Sequence, residues 1–301
     1  QVSFIKNLKF ELSTWELANE TLKEEEHLYW ENVNQNIHTS KSDLSYAIEK
    51  LNSVGRINVS LECISRMILD KKEINSKLNM KTLQKKLSSK QKYIDNYNIL
   101  NIFEYLENVD NVDKNILCSL EISYFSLFSF DNQEIPKTLF RYLASDPSFY
   151  IEFIKMGYRE DNSKEKSELS EKELNLARNA WNILRNFRTI PGLNEKGYID
   201  EQELNSWVST LLNLAKECNR LSIVQNYIGQ ILFHAPKDKD GFWIDKNVAK
   251  ILDNFHNKKM LSGFRTECIN SRGDVYVDTS GESDNSIGML WEKRTYELRN
   301  I

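Results

Sequence analysis

The amino-acid sequence predicts an all-α fold, and three observations favour this class. Gly (10) and Pro (4) are scarce among the 301 residues, although tight turns between strands depend on both. Hydrophobic residues make up 40% of the chain and include 14 Phe, 13 Tyr and 6 Trp, enough to fill a sizeable core. In many segments apolar residues recur at spacings of three and four, which is the period of an amphipathic helix.

The first half of the chain contains a predicted antiparallel helical hairpin. Gly55 lies between its two helices and is suited to a C-cap. The apolar stripes of the two helices are, in chain order, Leu44, Ala47, Ile48 and Leu51, then Leu61, Ile64 and Ile68. Further helices are predicted at 93–107, 113–129 and 136–144 from the same periodicity.

In the second half, helix start signals accompany the apolar stripes. Asp146 followed by Pro147 predicts one N-terminus. Ser170 with Glu173, and Asp200 with Glu203, have the spacing of capping boxes. The remaining predicted elements are helices at 171–187, 201–217, 221–234, 246–261 and 287–301, and a short strand or extended loop at 275–277.

Short helices joined by short turns favour an irregular helical-hairpin array, a solenoid of the HEAT or TPR kind. No strict repeat period is present, so a compact helical bundle is the alternative. The polar stretch 159–173 predicts an exposed boundary. We therefore predict an N-terminal array at 1–160, a C-terminal array at 161–265, and a mobile loop with a truncated last helix at 266–301.

The charge balance predicts which partners the chain accepts. Its net charge is −4 and its pI about 5.8, whereas nucleic-acid binders usually present a basic face. The Lys-rich stretch Lys71–Lys92 is the one candidate for such a face, and it holds a single aromatic residue near its end, Tyr93. We therefore expect a solvated helix face there rather than a nucleic-acid site, and no nucleic-acid partner.

The four cysteines, Cys63, Cys118, Cys218 and Cys268, are dispersed and form no CxxC pair. Buried reduced thiols in the cytoplasm are therefore expected. No apolar run is long enough to span a membrane, and the N-terminus does not have the pattern of a signal peptide. The chain begins without Met and ends inside a predicted helix, so we expect a segment of a larger protein.

Motifs that carry catalytic chemistry are missing from the sequence. There is no P-loop, GxGxxG, HExxH or GxSxG motif, and none of the four histidines lies at metal-ligand spacing. Two turns, 192–203 and 236–241, imitate calcium loops but place Gly192 and Pro236 where a carboxylate is needed. We expect structural turns there, with Asp200 and Asp245 capping the next helices, and no catalytic residue, metal or cofactor.

Exposed aromatic and arginine side chains are the candidate binding residues, since binding hot spots favour Trp, Tyr and Arg. The segment Ile228–Trp243 is the densest local signature, and we expect its aromatic residues to pack back onto the helices rather than to form a recognition loop. The residues predicted to bind a partner are Arg141, Tyr158, Arg159, Phe242 and Trp243.

Three stretches together resemble the C-terminal helical region of large bacterial multidomain proteins. They are 47–61, 136–150, and 228–243 with the tail at 270–273. The resemblance covers most of residues 30–290 and supplies no catalytic residue. It implies a helical sensor or scaffold beside a separate effector, and antiphage defence is the setting it suggests.

The function that we predict is that of a non-catalytic, helical-repeat interaction segment. Its expected partner is a protein, or another domain of the same chain, bound along a concave surface. One alternative is a helical enzyme domain, with His234 and carboxylates lining a cleft. The other is a nucleic-acid sensor that uses Lys71–Lys92.

Overall fold

A computed structural model describes most of the chain. The described residues are 1–34, 43–72, 74–89, 96–128, 135–161, 163, 170–241, 243–255 and 257–270. Within these ranges the secondary structure is helical, apart from one isolated antiparallel bridge between Leu193 and Ile199. The predicted all-α helical array is therefore confirmed. The elements predicted at 275–277 and 287–301 lie outside the described residues.

The chain divides into two compact units, Gln1–Leu139 and Phe140–Ile301. The domain bounds expected from the sequence stay a prediction. The helices described in the first unit are α1 (Val2–Ile5), α2 (Leu12–Leu22), α3 (Glu26–Asn32), α4 (Ser45–Ser53), α5 (Ile57–Leu69), α6 (Ser76–Ser88), α7 (Asn96–Glu107) and α8 (Lys114–Ser123). Helix α9 (Lys137–Ser145) contains the division, and α10 (Pro147–Gly157), α11 (Glu171–Asn186), α12 (Glu201–Glu217), α13 (Leu221–Phe233), α14 (Lys246–Phe255) and α15 (Lys258–Asn270) follow it.

An aromatic cluster organises the start of the first unit. Trp15 and Trp30 are buried with their ring centroids 6.0 Å apart, and Phe10 meets Trp15 edge-on at 5.1 Å. Glu26 is buried beside them because its carboxylate is fully bonded: it accepts from the Trp30 indole N–H at 2.9 Å and from the Lys50 ammonium at 2.6 Å. Burial of such a carboxylate is tolerated only with partners of this kind.

The predicted hairpin of the first unit is confirmed. Helix α4 ends at Ser53 and α5 begins at Ile57, and the two helices pack against each other. Gly55 has a φ of +79° between them, in the left-handed region that L side chains rarely adopt. The sequence pattern therefore located both helices and the residue that turns the chain.

Helix caps fix the starts of the second unit's helices as predicted. The Asp146 carboxylate accepts the Ser148 N–H at 2.8 Å at the start of α10. Ser170 and Glu173 form a reciprocal capping box at the start of α11. Such caps satisfy N–H groups that have no partner inside the helix.

One predicted helix is two helices in the structure. The apolar period over 246–261 indicated a single element, but α14 ends at Phe255 and α15 begins at Lys258. The Asn257 side-chain oxygen Oδ1 accepts the N–H groups of Lys259 and Met260, at 2.8 and 3.3 Å, and so caps the start of a new helix. A local cap overrides the continuing apolar period here.

Helices α13 and α15 approach each other more closely than side chains permit. A Cβ atom placed on Gly263 would lie 1.9 Å from the Asn226 carbonyl oxygen, and one on Gly229 would lie 1.9 Å from that of Met260. Glycine at both positions therefore lets the two backbones touch.

Every helix in the described part of the chain is too short or too polar to cross a membrane.

Candidate protein-interaction groove

The second unit contains an open groove with a volume of about 820 Å³. It is called here the Arg141 groove, after the one predicted binding residue that lines it. One wall is formed by Arg141 and Ser145 of α9. The buried side chains of Ile190 and Trp207 form its floor, and the lining also includes Leu193, Glu203 and Ser206.

The turn 192–199 forms one end of the groove and is held rigidly. Gly192 has a φ of +74°, and its carbonyl accepts the Asp200 N–H at 2.8 Å. The Asn194 side-chain oxygen accepts the N–H groups of Lys196 and Tyr198, at 3.0 and 3.1 Å. The expected structural turn is therefore confirmed.

Asp200 connects this turn to α12. Its carboxylate accepts the N–H groups of Gln202 and Glu203, both at 2.9 Å, as the sequence predicted. Asp245 caps α14 in the same way through the Asn247 N–H at 2.7 Å. Both carboxylates therefore act as helix caps. The dipole of a helix favours a negative group at its N-terminus.

Replacing Asp200 with alanine is expected to remove both capping bonds. We expect the free energy of unfolding of the second unit to fall by about 1 kcal/mol, the usual contribution of an aspartate cap. Urea unfolding followed by circular dichroism measures this difference. An unchanged unfolding midpoint would mean that the cap does not hold the turn that ends the groove.

Trp207 gives the floor of the groove a fixed position. Its indole N–H donates to the Leu143 carbonyl at 3.1 Å, and its ring meets Tyr150 edge-on at 5.3 Å. Both rings are almost entirely buried. Because the ring is hydrogen-bonded and packed, the groove does not need to reorganise its floor when a ligand enters.

The rim of the groove combines charge, hydroxyl groups and one exposed leucine. Arg141 is exposed on α9, and Leu193 is 41% exposed although it lies in a polar turn. Ser145, Thr189 and Ser206 add hydroxyl groups that donate and accept hydrogen bonds. An apolar floor with a polar rim is the usual composition of a protein-binding surface.

The other predicted binding residues lie elsewhere, and their roles in binding stay predictions. Tyr158 is half-buried and shares a hydrogen bond with the Tyr227 hydroxyl at 2.6 Å, and burial raises the pKa of Tyr158. Trp243 packs on Phe233, with ring centroids 5.5 Å apart. Arg159 is exposed just after α10, and Phe242 lies outside the described residues.

His234 forms an ordered pair with a carboxylate. Its Nε2 atom lies 3.0 Å from Glu267, and the Arg188 guanidinium lies 3.6 Å from the same oxygen. The hydrogen bond from His234 lowers the pKa of Glu267. Such pairs also orient catalytic histidines, but here both partners are largely buried between α13 and α15. The pair therefore ties the two helices together.

Two carboxylates of the first unit cap the N-terminus of α9. Glu107 accepts the Lys137 N–H at 2.9 Å, and Glu121, which is fully buried, accepts those of Thr138 and Leu139 at 3.3 and 2.5 Å. Burial raises the pKa of Glu121 to about 8, and the neighbouring Glu107 carboxylate adds to the rise. The two N–H groups oppose this effect without cancelling it.

A cavity of about 560 Å³ lies beside this pair, lined in part by Glu104, Glu107 and Lys137. A perturbed carboxylate next to a cavity is typical of an acid–base site. However, Glu107 and Glu121 accept hydrogen bonds from N–H groups at the N-terminus of α9, and these bonds explain why the two carboxylates are buried. In the described ranges no group of three or more His, Cys, Asp and Glu residues is arranged to hold a metal ion.

No protein-family model, no curated protein and no solved structure matches this chain.

Proposed function

We propose that this chain is a non-catalytic helical interaction module that binds an extended protein segment in the Arg141 groove. The observation that carries the proposal is the groove itself, about 820 Å³ and open to solvent, with Trp207 in its floor and Arg141 and Leu193 at its rim. Arginine is one of the side chains over-represented where binding energy concentrates.

Arg141 and Glu203 place one charge of each sign in the groove lining, and the segment is expected to match Arg141 in particular. Arg141 forms no ion pair with any described residue, and a guanidinium binds a carboxylate through two parallel hydrogen bonds. The exposed Leu193 offers apolar area next to it. We therefore expect a segment with an acidic residue opposite Arg141 and an apolar residue over Leu193.

The bound segment belongs either to another protein or to another domain of the same chain. A sensor or scaffold in antiphage defence is the biological setting that the bacterial resemblance suggests, and it is part of the proposal. A phage-plating assay with and without residues 1–301 tests this setting when the full-length gene is expressed. Loss of protection on deletion, with the effector still active, is the expected result.

The groove is tested with a library of short random peptides selected on the purified chain. We expect enriched peptides to combine acidic and apolar residues. Arg141→Glu and Leu193→Asp should each weaken their binding about tenfold or more, because a charge-assisted bond or an apolar contact is lost and a repulsive charge is added. Fluorescence anisotropy with a labelled peptide measures the change.

Matched controls are available on α11. Leu174 is 41% exposed, as Leu193 is, and Arg178 is exposed as Arg141 is. Leu174→Asp and Arg178→Glu make the same chemical changes away from the groove and should leave peptide affinity unchanged. The proposal fails if no peptide is enriched, or if the control variants weaken binding as much as the groove variants do.

A further inference from the structure

The C-terminal end of α15 lies near the Arg141 groove. The Arg188 guanidinium lies 3.6 Å from the Glu267 carboxylate, and Glu267 is in the last turn of α15, which ends at Asn270. Arg188 directly precedes Thr189, which lines the groove. The chain therefore leaves α15 close to one wall of the groove, within the same unit.

The sequence that follows α15 has the composition expected of a segment that binds in this groove. Residues 271–301 lie outside the described residues. Their sequence contains five carboxylates and no basic residue from Gly273 to Glu292. Within this stretch, Glu282 and Asp284 are followed by the apolar residues Ile287, Met289, Leu290 and Trp291. Residues 282–291 are called here the tail segment.

The groove and the tail segment are complementary in charge and in apolar area. Arg141 forms no ion pair with any described residue, and a guanidinium binds a carboxylate through two hydrogen bonds. Leu193 offers exposed apolar area to the leucine and tryptophan of the segment. Glu203 lies beside the turn that carries Leu193, since a Cβ atom on Gly192 would lie 3.2 Å from that of Glu203. The acidic end of the segment is therefore expected at Arg141 and the apolar end at Leu193.

The connection between α15 and the tail segment is long enough to reach the groove. Glu282 is twelve residues beyond Asn270, and such a stretch spans at most about 40 Å. That span exceeds the diameter of a small domain, about 30 Å. A short tether holds a ligand at an effective concentration of about 1 mM. A segment with an affinity of only about 0.1 mM would then occupy the groove in about nine-tenths of the molecules.

We propose that the tail segment binds in the Arg141 groove of its own chain and that an external partner must displace it. This inference rests on the function proposed for the groove. Because the groove cannot hold both segments at once, the tail segment lowers the apparent affinity for an external partner by about tenfold.

Fluorescence anisotropy of the full chain with a peptide selected on it, at constant ionic strength, tests the proposal. The double variant Glu282→Lys/Asp284→Lys gives the tail segment the wrong charge for Arg141, so the selected peptide should bind about tenfold more tightly. Asp274→Lys/Asp278→Lys is the matched control, because it makes the same change of charge in the same tail outside the segment. It should leave the affinity unchanged.

A labelled peptide of residues 280–292 gives the direct measurement. We expect it to bind the Glu282→Lys/Asp284→Lys chain with an affinity of about 0.1 mM, and to lose this binding when Arg141→Glu is added. Circular dichroism checks that each variant is folded.

The possible failures separate the two proposals. The inference is overturned if the tail variants and the control change the affinity equally, or if the 280–292 peptide does not bind where selected peptides do. The function proposed for the groove stands in both cases. If neither kind of peptide binds, that function fails as well. Competition by the tail that grows with protein concentration would assign the groove to a second copy of the chain, and would also overturn the inference.

Discussion

Replacing Gly263 with alanine is expected to lower the free energy of unfolding of the second unit by about 3 kcal/mol or more. The new Cβ atom would lie 1.9 Å from the Asn226 carbonyl oxygen, which belongs to the backbone of α13. A side chain can relieve a clash by changing its rotamer, but a helix backbone can only move away. The core between α13 and α15 must therefore open.

Urea unfolding of wild-type and variant chains measures this loss. Gly157→Ala is the control, because a Cβ atom there would meet its nearest neighbours at 3.5 to 3.8 Å, an ordinary contact. That variant should change stability by no more than about 1 kcal/mol. If both alanine variants unfold at the wild-type urea concentration, the close approach of α13 and α15 is wrong.

Replacing Glu121 with alanine is expected to have the second large effect, on the first unit. The N–H groups of Thr138 and Leu139 would lose their acceptor inside the protein. Buried groups left without partners cost about 1–3 kcal/mol each, so we expect a loss of about 2–4 kcal/mol. Glu121→Gln keeps one acceptor oxygen, which serves one of the two N–H groups, and should therefore lose less than alanine does.

Glu121 also predicts a dependence of stability on pH. Because its pKa is raised to about 8 in the folded chain, the folded state binds more protons than the unfolded state between the ordinary glutamate pKa and about pH 8. Its contribution to stability is therefore fully present below the ordinary pKa. As the pH rises towards 8 it is lost, by at most about 1.4 kcal/mol per pH unit.

The difference between wild type and Glu121→Gln isolates this contribution, since glutamine does not titrate. Urea unfolding at a series of pH values should show the wild type losing stability relative to the variant as the pH rises from 5 to about 8. Glu104→Gln, on the exposed face of α7, is the control. Parallel curves for wild type and Glu121→Gln would contradict the burial of a protonated Glu121.

The sequence predicted the features that are local. The hairpin around Gly55, the capping box at Ser170 and the cap at Asp200 each depend on residues a few positions apart. Periodicity and capping rules read such spacings directly. The break at Asn257 was missed because the apolar period continues across it, and only the cap ends the helix.

The groove and the glycine contact could not be predicted in the same way. Arg141 and Leu193 line one cavity although they lie on different elements, and Gly229 meets the backbone of α15 only once both helices are packed. The sequence also does not show whether an aromatic side chain packs on the protein or is available to a partner. Trp243, a predicted binding residue, packs on Phe233. A leucine in the polar turn after Pro191 is a local feature of the sequence that could have pointed to the groove.

Hydrogen–deuterium exchange of the chain, with and without a peptide selected on it, shows where the peptide binds. We expect slower exchange in α9, the turn 189–193 and the first half of α12, which together line the Arg141 groove, and unchanged exchange in α11. Protection confined to α11 or to the first unit, or no protection at saturating peptide, would contradict this expectation.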